Sequence, residues 1–308
     1  MISPDSFSTH DIQKRRGSDV ETKKIIKSLP EEFQPNYETE KRLLLLNMRA
    51  MSEGIIIGSK EDIKKDEVEK SRGTHLDHTN RVTRAVEKFS NCFPELKGIE
   101  SGLKASALYH DIGKTGDNDD PKIQYSIMRL FSLYQENEAE KNEAEESSSK
   151  KKMFDMTIEE ALEMHDPEEK EAILKIIGAI GLQEKDLMRK VYQSHVTEGI
   201  NILKKNKFKP EIIYLVGNHH SKSNNFNYDN LPQIDDFPEE ERESLEIGST
   251  ILELIDSFEA SRYRGKSNDQ DNFFRLREIY ANDVLANKII DKMEENIGII
   301  NEAFESCE

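Results

Sequence analysis

The spacing of apolar residues constrains the fold of this chain more than any other feature. From Ser71 onward these residues recur at intervals of three and four, as in Val82, Val86 and Phe89. This is the period of an amphipathic helix, whereas a half-buried strand alternates with a period of two. Charged residues make up 34% of the chain and tryptophan is absent, a balance that suits long helices with solvated faces. The sequence therefore predicts an all-α protein, and a hydrophobic fraction of 35% over 308 residues is enough for a packed core.

The chain divides into two parts of different composition. Residues 1–70 open with a polar stretch rich in Ser and Asp, and they are predicted to be an N-terminal extension that is partly disordered or helical. One helix is expected there, from Tyr37 to Glu53, with Gly54 ending it as a C-cap. Residues 71–308 are predicted to form the main helical domain, interrupted near 135–152 by the polar low-complexity run QENEAEKNEAEESSSKKK.

Two long helices are expected to complete the chain. A polar loop around Ser221 to Pro232 precedes them. Apolar periodicity then predicts one helix from Glu239 to Tyr263 and a second from Phe273 to Phe304. The succession of helices predicts a helical bundle.

The charge and the apolar runs limit the partners and the location. A net charge of −17 argues against sequence-independent binding to polymeric DNA or RNA, because such binding needs Lys and Arg to neutralise phosphates. A small anionic substrate is compatible with this charge if bound cations supply positive charge locally. No basic-then-apolar leader and no apolar run of about 20 residues occurs, so a cytoplasmic protein without membrane contact is expected. A homodimer is left open.

Histidines dominate the candidate functional residues. Five of the eight histidines fall into four segments predicted to be helical or next to a helix, and one apolar helix adds a carboxylate. These residues are His78 in HLDHTNRV, His110 in ALYHDIGK, His195 in YQSHVTEG, His219 and His220 in VGNHHS, and Asp256 in LELIDSFEASR. A single histidine is more often exposed or hydrogen-bonded in a core than a metal ligand. Only the fold can show whether these segments converge.

The adjacent pair His110 and Asp111 is more specific than a single histidine. Neighbours on a helix point about 100° apart, so the two side chains can flank a metal ion at a helix end. Gly113 is expected to let the backbone turn. Lys114 has two interpretations: an ammonium that meets a bound phosphate, or a helix-terminal cation favoured by the macrodipole.

Taken together, these motifs resemble the HD superfamily of metal-dependent phosphohydrolases. SALYHDIGK is similar to the superfamily signature, and His78, His110 with Asp111, and Asp256 follow its H…HD…D order. Further segments resemble those of HD-GYP domains, which are cyclic di-GMP phosphodiesterases. They are HxxRV from His78, HxxxGxxIL from His195, the pair at His219, and DxFxA from Asp256. The resemblance covers about residues 71–264 and implies an HD-domain helical bundle.

The resemblance implies a ligand set for two divalent cations. His78, His110, Asp111 and Asp256 would hold one cation, and Asp111 would bridge to a second cation held by His195, His219 and His220. Mixed imidazole and carboxylate ligands suit iron, manganese, zinc or nickel. The resemblance favours iron or manganese. A metal-activated water would attack phosphorus, with Asp111 and Lys114 as catalytic residues.

The substrate is less constrained than the metal site. The second histidine of the pair is followed by SKSNNFNYDNLP, without the Glu and the GYP motif of the HD-GYP family. A phosphodiesterase for a cyclic dinucleotide or a related nucleotide is the favoured function, with Lys114, Arg262 and Arg264 as candidate phosphate contacts. Two alternatives stay open: an HD-type nucleotidase that cleaves a phosphomonoester, and a domain that binds a nucleotide and signals without catalysis.

Overall fold

The described parts of the chain are helical. The computed structural model describes residues 9–46, 75–116, 156–164, 181–224, 231–264 and 268–305, with isolated helical positions between 167 and 178. Within these ranges no strand occurs, and Thr157 and Leu187 form an isolated antiparallel bridge. The predicted all-α class is therefore confirmed. None of the helices in these ranges is long and apolar enough to cross a membrane.

Four α-helices lie in the described ranges 9–46 and 75–116. They are α1 (Thr9–Ser28), α2 (Tyr37–Leu45), α3 (His75–Ser90) and α4 (Glu100–Tyr109). Short 3₁₀ turns cover Glu31–Phe33, Pro94–Leu96 and Ile112–Thr115. The last of these turns follows α4 directly, so it is the segment after Asp111 in the HDIGK motif.

The remaining α-helices are α5 (Ile158–Ala161), α6 (Met188–Lys205), α7 (Pro210–Gly217), α8 (Ser221–Asn224), α9 (Glu239–Arg264), α10 (Asp269–Ile279), α11 (Val284–Glu295) and α12 (Ile297–Glu305). Two 3₁₀ turns, Leu162–Met164 and Ile234–Asp236, lie between them. The predicted helix from Glu239 is confirmed to within one residue at its end.

The single helix predicted from Phe273 to Phe304 is wrong. Three helices, α10, α11 and α12, occupy this stretch. Asp283 explains the first break, because its side chain accepts a hydrogen bond from the backbone N–H of Ala286 and so begins α11 as an N-cap. The chain turns again at Asn296, between α11 and α12.

The core consists of two apolar clusters. One is built mainly by α3 and α9 to α12, with Phe258 and Phe304 among its buried side chains. The other is built mainly by α1, α2, α4, α6 and α7, with Leu43 and Tyr109 among its members. Helices α3, α4 and α7 contribute side chains to both clusters. The segments that carry His78, His110 and the histidine pair therefore lie where the two clusters meet.

The N-terminal region packs against the main domain. Helix α2 begins at Tyr37 as predicted, but the predicted end at Glu53 and the cap at Gly54 lie outside the described residues. Helix α1 was not predicted from its polar sequence. Its last turns bury Ile25 and Ile26 in the second cluster, and packing rather than intrinsic propensity stabilises most protein helices. The low-complexity insert near 135–152 also lies outside the described residues.

Candidate metal centre

The structure brings all seven predicted ligands together in the interior. His78 lies in α3, Asp256 in α9 and His195 in α6, while the other four follow the ends of α4 and α7. Every one of these side chains is buried. Buried polar groups need partners, so a cluster of seven such groups requires a specific arrangement of contacts.

Three of these side chains form a first ligand group: His78, His110 and Asp256. Their ligand atoms all lie within 4.8 Å of one another. The Nε2 atom of His78 is 3.2 Å from Nε2 of His110 and 3.0 Å from Oδ1 of Asp256. Each of the three elements α3, α4 and α9 supplies one member of this group.

The other three histidines form a second ligand group: His195, His219 and His220. Their ligand atoms also lie within 4.8 Å of one another. The Nε2 atoms of His195 and His219 are 3.2 Å apart. Nitrogen ligands of this kind suit transition metals rather than calcium or magnesium.

Two carboxylates connect the groups. Oδ2 of Asp111 lies 3.5 Å from Nε2 of both His78 and His110, and Oδ1 of the same carboxylate lies 3.8 Å from Nε2 of His195. Asp256 spans the centre in the same way, because its Oδ1 faces His78 while its Oδ2 is 3.6 Å from Nε2 of His220. A carboxylate with one oxygen toward each group has the geometry of a bridging ligand.

Backbone carbonyls orient two of the imidazoles. Nδ1 of His110 donates to the carbonyl of Ala107 at 2.8 Å, and Nδ1 of His219 donates to the carbonyl of Val216 at 2.5 Å. The last carbonyls of a helix have no partner within the helix, so a histidine just past the end can use them. With the proton on Nδ1, the Nε2 lone pair of each ring points to the centre, as metal binding requires.

A carboxylate that the sequence reasoning missed orients His78. Oε2 of Glu259 accepts a hydrogen bond from Nδ1 of His78, and Oε1 accepts one from Nε of Arg81 at 2.5 Å. Glu259 follows Asp256 by three positions in α9, which places both on one face of the helix. That spacing was the available signal. A carboxylate behind a histidine is the usual support for a metal-bound imidazole.

The electrostatics of the centre favour positive charge. Burial opposes protonation of His78, but Glu259 and Asp256 outweigh it and raise its pKa to about 9. Burial also favours the neutral form of Asp111, yet Lys114 and the surrounding histidines hold its pKa well below the usual range. Burial, followed by repulsion from His110, lowers the pKa of His219 to about 4. Without a metal ion, His78 is therefore protonated beside ionised carboxylates while His219 is neutral. A divalent cation that binds here would displace the proton of His78 and take over its balance of charge with the carboxylates.

The facing imidazole nitrogens fit a cation in particular. Nδ1 of His78 is engaged by Glu259 and Nδ1 of His110 by a carbonyl, so their Nε2 atoms face each other at 3.2 Å. Two lone pairs at that separation repel unless a proton or a metal ion lies between them. The residues present therefore fit a metal site.

Of the predicted phosphate contacts, Lys114 lies at the centre, whereas Arg262 makes its contacts elsewhere. Lys114 is buried, and its Nζ donates to Oδ2 of Asp111 at 2.5 Å, which puts a positive charge beside the centre. Arg262 instead contacts Asn301, Asp269 and Glu305, which tie α9 to α10 and α12. These contacts favour a structural role for Arg262. The side chain of Arg264 lies outside the described residues.

Gly113 serves close packing rather than the turn expected from the sequence. Its φ is not in the left-handed region, which Gly116 occupies instead with φ of 67°. A Cβ added at Gly113 would lie 1.7 Å from the carbonyl oxygen of His195 and 2.4 Å from the backbone nitrogen of Gly199. Only glycine lets the turn after Asp111 lie directly against the backbone of α6.

Comparison of the chain with protein-family models, curated proteins and solved structures found no match. Support for a metal centre therefore comes from the side chains and their distances. The resemblance of the HDIGK and DSFEA motifs to the HD superfamily stays a prediction.

Proposed function

We propose that this chain is a metal-dependent phosphohydrolase of the HD type, which hydrolyses a phosphodiester in a cyclic dinucleotide or a related nucleotide. The position of Asp111 between the two ligand groups carries the proposal, because this carboxylate could be shared by two cations. Its two carboxylate oxygens face different ligand groups, at 3.5 Å and 3.8 Å from the nearest imidazole nitrogens. A site for one structural ion needs four ligands and no bridge, whereas this centre gathers seven.

The residues divide the work as follows. His78, His110 and Asp256 would hold one cation, and His195, His219 and His220 a second, with Asp111 shared. Iron or manganese is the expected metal, with zinc and nickel also compatible with these donors. A pair of divalent cations supplies an activated water and offsets the negative charge of a phosphate under attack. Lys114 holds the Asp111 carboxylate and adds a fixed positive charge there.

The substrate class follows from charge. The chain carries a net charge of −17, so a long polyanion is disfavoured over its whole surface, while the centre itself attracts anions once cations are bound. A small nucleotide meets both conditions. The motif order, from His78 to Asp256, resembles that of the HD-GYP phosphodiesterases for cyclic dinucleotides, although the GYP motif itself is absent after His220. This resemblance supports a nucleotide phosphodiester as the substrate class.

Metal analysis of the purified chain tests the centre directly. We expect about two divalent cations per chain in the wild type and a loss of at least one in Asp111→Asn, which keeps the shape of the side chain but weakens the bridge. His75→Ala is the matched control, because this neighbouring histidine belongs to neither ligand group. Wild-type protein that binds no iron, manganese, zinc or nickel would overturn the proposal.

Incubation with a substrate panel then tests the reaction. The panel contains cyclic dinucleotides, linear dinucleotides and mononucleotides, with product release followed by chromatography. We expect the wild type to cleave a phosphodiester only when metal is added. The rate of this cleavage should fall at least a hundredfold in His110→Ala. Cleavage of mononucleotides alone would assign a nucleotidase, and nucleotide binding without turnover in the metal-loaded protein would assign a signalling domain.

A further inference from the structure

The turn after Asp111 is tied to the N-terminal region. The turn spans Ile112–Thr115 and ends at Gly116, whose φ of 67° lies in the left-handed region. Nη1 of Arg42 in α2 donates to the carbonyl of Gly116 at 2.6 Å. Arg42 is buried, with 4% of its surface exposed, although it precedes the turn by 74 residues. A buried guanidinium in this position makes a charge-assisted hydrogen bond, which is stronger than one between neutral groups.

This bond acts on the segment that sets the position of Asp111. The backbone N–H of Lys114 bonds to the carbonyl of Asp111 at 2.9 Å, and the N–H of Gly116 bonds to the carbonyl of Gly113 at 2.9 Å. The turn is therefore a short hydrogen-bonded unit with Asp111 at one end and the Arg42 contact at the other. Gly113, in the middle of this unit, packs against the backbone of α6 and cannot shift toward it. The Gly116 end is held by the bond from Arg42.

Other N-terminal residues hold the segments beside His78 and His110. Tyr109, the residue before His110 in the sequence, donates a hydrogen bond from its hydroxyl to the carbonyl of Phe33 at 2.8 Å. The backbone N–H of Leu76, two residues before His78, bonds to the carbonyl of Leu46 at 3.1 Å. In α1, Ser18 donates to Asp77, the residue directly before His78. Residues 18–46 thus contact the chain beside His78 and His110, in addition to the bond from Arg42 to the turn after Asp111.

We infer that Arg42 is a positioning residue for the metal centre, acting through the Gly116 carbonyl to fix the turn that carries Asp111 and Lys114. The inference rests on the proposed metal centre and extends it to a part of the chain that the sequence placed in a separate extension. Arg42 donates a hydrogen bond to the Gly116 carbonyl, five residues after Asp111. Loss of the guanidinium would let Asp111 move away from one ligand group. The cation held by that group would then bind more weakly, while the histidines stay in place.

Titration of the full-length chain with Mn²⁺, after removal of bound metal, tests this inference. In Arg42→Met we expect at least tenfold weaker binding of one of two cations, the range found when groups behind metal ligands are removed. Arg42→Lys keeps a charge and a donor and should fall between Arg42→Met and wild type. Arg84→Met and Arg84→Lys are the matched controls, because Arg84 pairs with Glu21 of α1 but lies on α3 away from the turn.

The outcomes separate the inference from the proposed function. Weaker binding of one cation in the Arg42 variants, at a thermal midpoint no lower than that of the Arg84 variants, supports the positioning role. Equal affinities in the Arg42 and Arg84 variants overturn it. If Arg42→Met does not fold, Arg42→Lys against Arg84→Lys decides in the same way. A wild-type chain that binds no Mn²⁺, Fe²⁺ or Zn²⁺ overturns the metal centre itself.

Discussion

At the scale of single residues, the carboxylate of Glu259, which accepts a hydrogen bond from His78, can be tested most directly. Glu259 accepts from His78 and from Arg81, so it links an imidazole of the centre to a buried guanidinium. Burial favours the neutral acid, but His78 and Arg81 outweigh it and lower the pKa of Glu259 to about 2. The carboxylate is therefore ionised over the whole range in which the protein would be studied.

Replacement of Glu259 by Gln should weaken metal binding by ten- to a hundredfold, since the amide is neutral and no longer fixes the His78 ring as strongly. Calorimetric titration with Mn²⁺ measures the change. Glu243→Gln is the control, because Glu243 is an exposed residue on the same helix. An unchanged affinity in Glu259→Gln would show that His78 is oriented by other contacts.

The glycines between the ligand groups give a second prediction at this scale. Gly113→Ala should destabilise the fold by about 1–3 kcal/mol or more, because the new Cβ would clash with backbone atoms of α6 that cannot turn away. Gly199→Ala is the matched control, because its Cβ would lie 3.6 Å from the nearest atom, the backbone nitrogen of Gly113, which is an ordinary contact distance. Urea unfolding measures both, and equal stabilities would contradict the packing argument.

The sequence predicted most of the residues of the centre but not their support. His110 with Asp111, and the other four histidines with Asp256, could be selected because they occur in motifs of fixed order. Glu259 offered one local signal, its spacing of three from Asp256, but its partner His78 lies 181 residues away. Arg42 offered none, since its partner Gly116 lies 74 residues away. Such pairs are set by tertiary packing, which a single sequence does not encode locally.

At the scale of elements, helix ends were harder to predict than helices. The 26 residues of α9 form a long amphipathic run, and their bounds were predicted almost unchanged. Helices α10 to α12 all bury apolar residues in the same cluster. The helical spacing of apolar residues therefore continues across the two breaks, so the spacing alone does not reveal them. The cap at Asp283 was readable in the sequence NDVLAN but was not used.

The N-cap of α11 can be tested with two substitutions at one position. Asp283→Ala should cost about 1 kcal/mol of folding free energy, because the N–H of Ala286 loses its acceptor. Asp283→Asn should cost less, since Asn is also a good cap and only the 3.0 Å ion pair with Lys222 is lost. Chemical unfolding of both variants gives the comparison, and equal losses would mean that the ion pair, not the cap, matters.

At the scale of the whole molecule, one apolar cluster joins helices on both sides of the boundary that the composition predicts near residue 70. Helices α1 and α2 bury Ile25, Ile26 and Leu43 in the same cluster as Leu108 of α4 and Ile212 of α7. A boundary was read from the change in composition, because polar residues dominate the first stretch. The few apolar side chains in it are the ones that pack, so composition understated its contribution to the core.

Deletion of residues 1–46 should therefore prevent stable folding rather than release an independent domain. The truncated chain would expose the apolar surface that Ile25, Ile26 and Leu43 cover, and would lose the bonds to Tyr109 and Gly116. Circular dichroism and thermal unfolding would show the loss of a cooperative transition. A truncated chain that unfolds cooperatively at the full-length temperature would contradict this expectation.

Metal removal should also lower stability, because a ligand that binds only the folded state stabilises it. At a free cation concentration a hundredfold above its dissociation constant, the gain is about 2.7 kcal/mol for each site. Thermal unfolding with and without a chelator measures the gain. The difference should shrink in Asp111→Asn and persist in His75→Ala, and an equal response in both variants would mean that the cations bind elsewhere.

The contact between Gly113 and the backbone at His195 has a further consequence for the choice of ion. The turn after Asp111 and the helix that carries His195 meet main chain to main chain, because a Cβ at Gly113 would reach the backbone of His195 and Gly199. This backbone contact, with the turn held by Arg42, limits how far the two ligand groups can separate. We therefore expect the centre to favour small transition-metal ions over a larger cation such as Ca²⁺, and titration with Mn²⁺ in the presence of excess Ca²⁺ measures that preference.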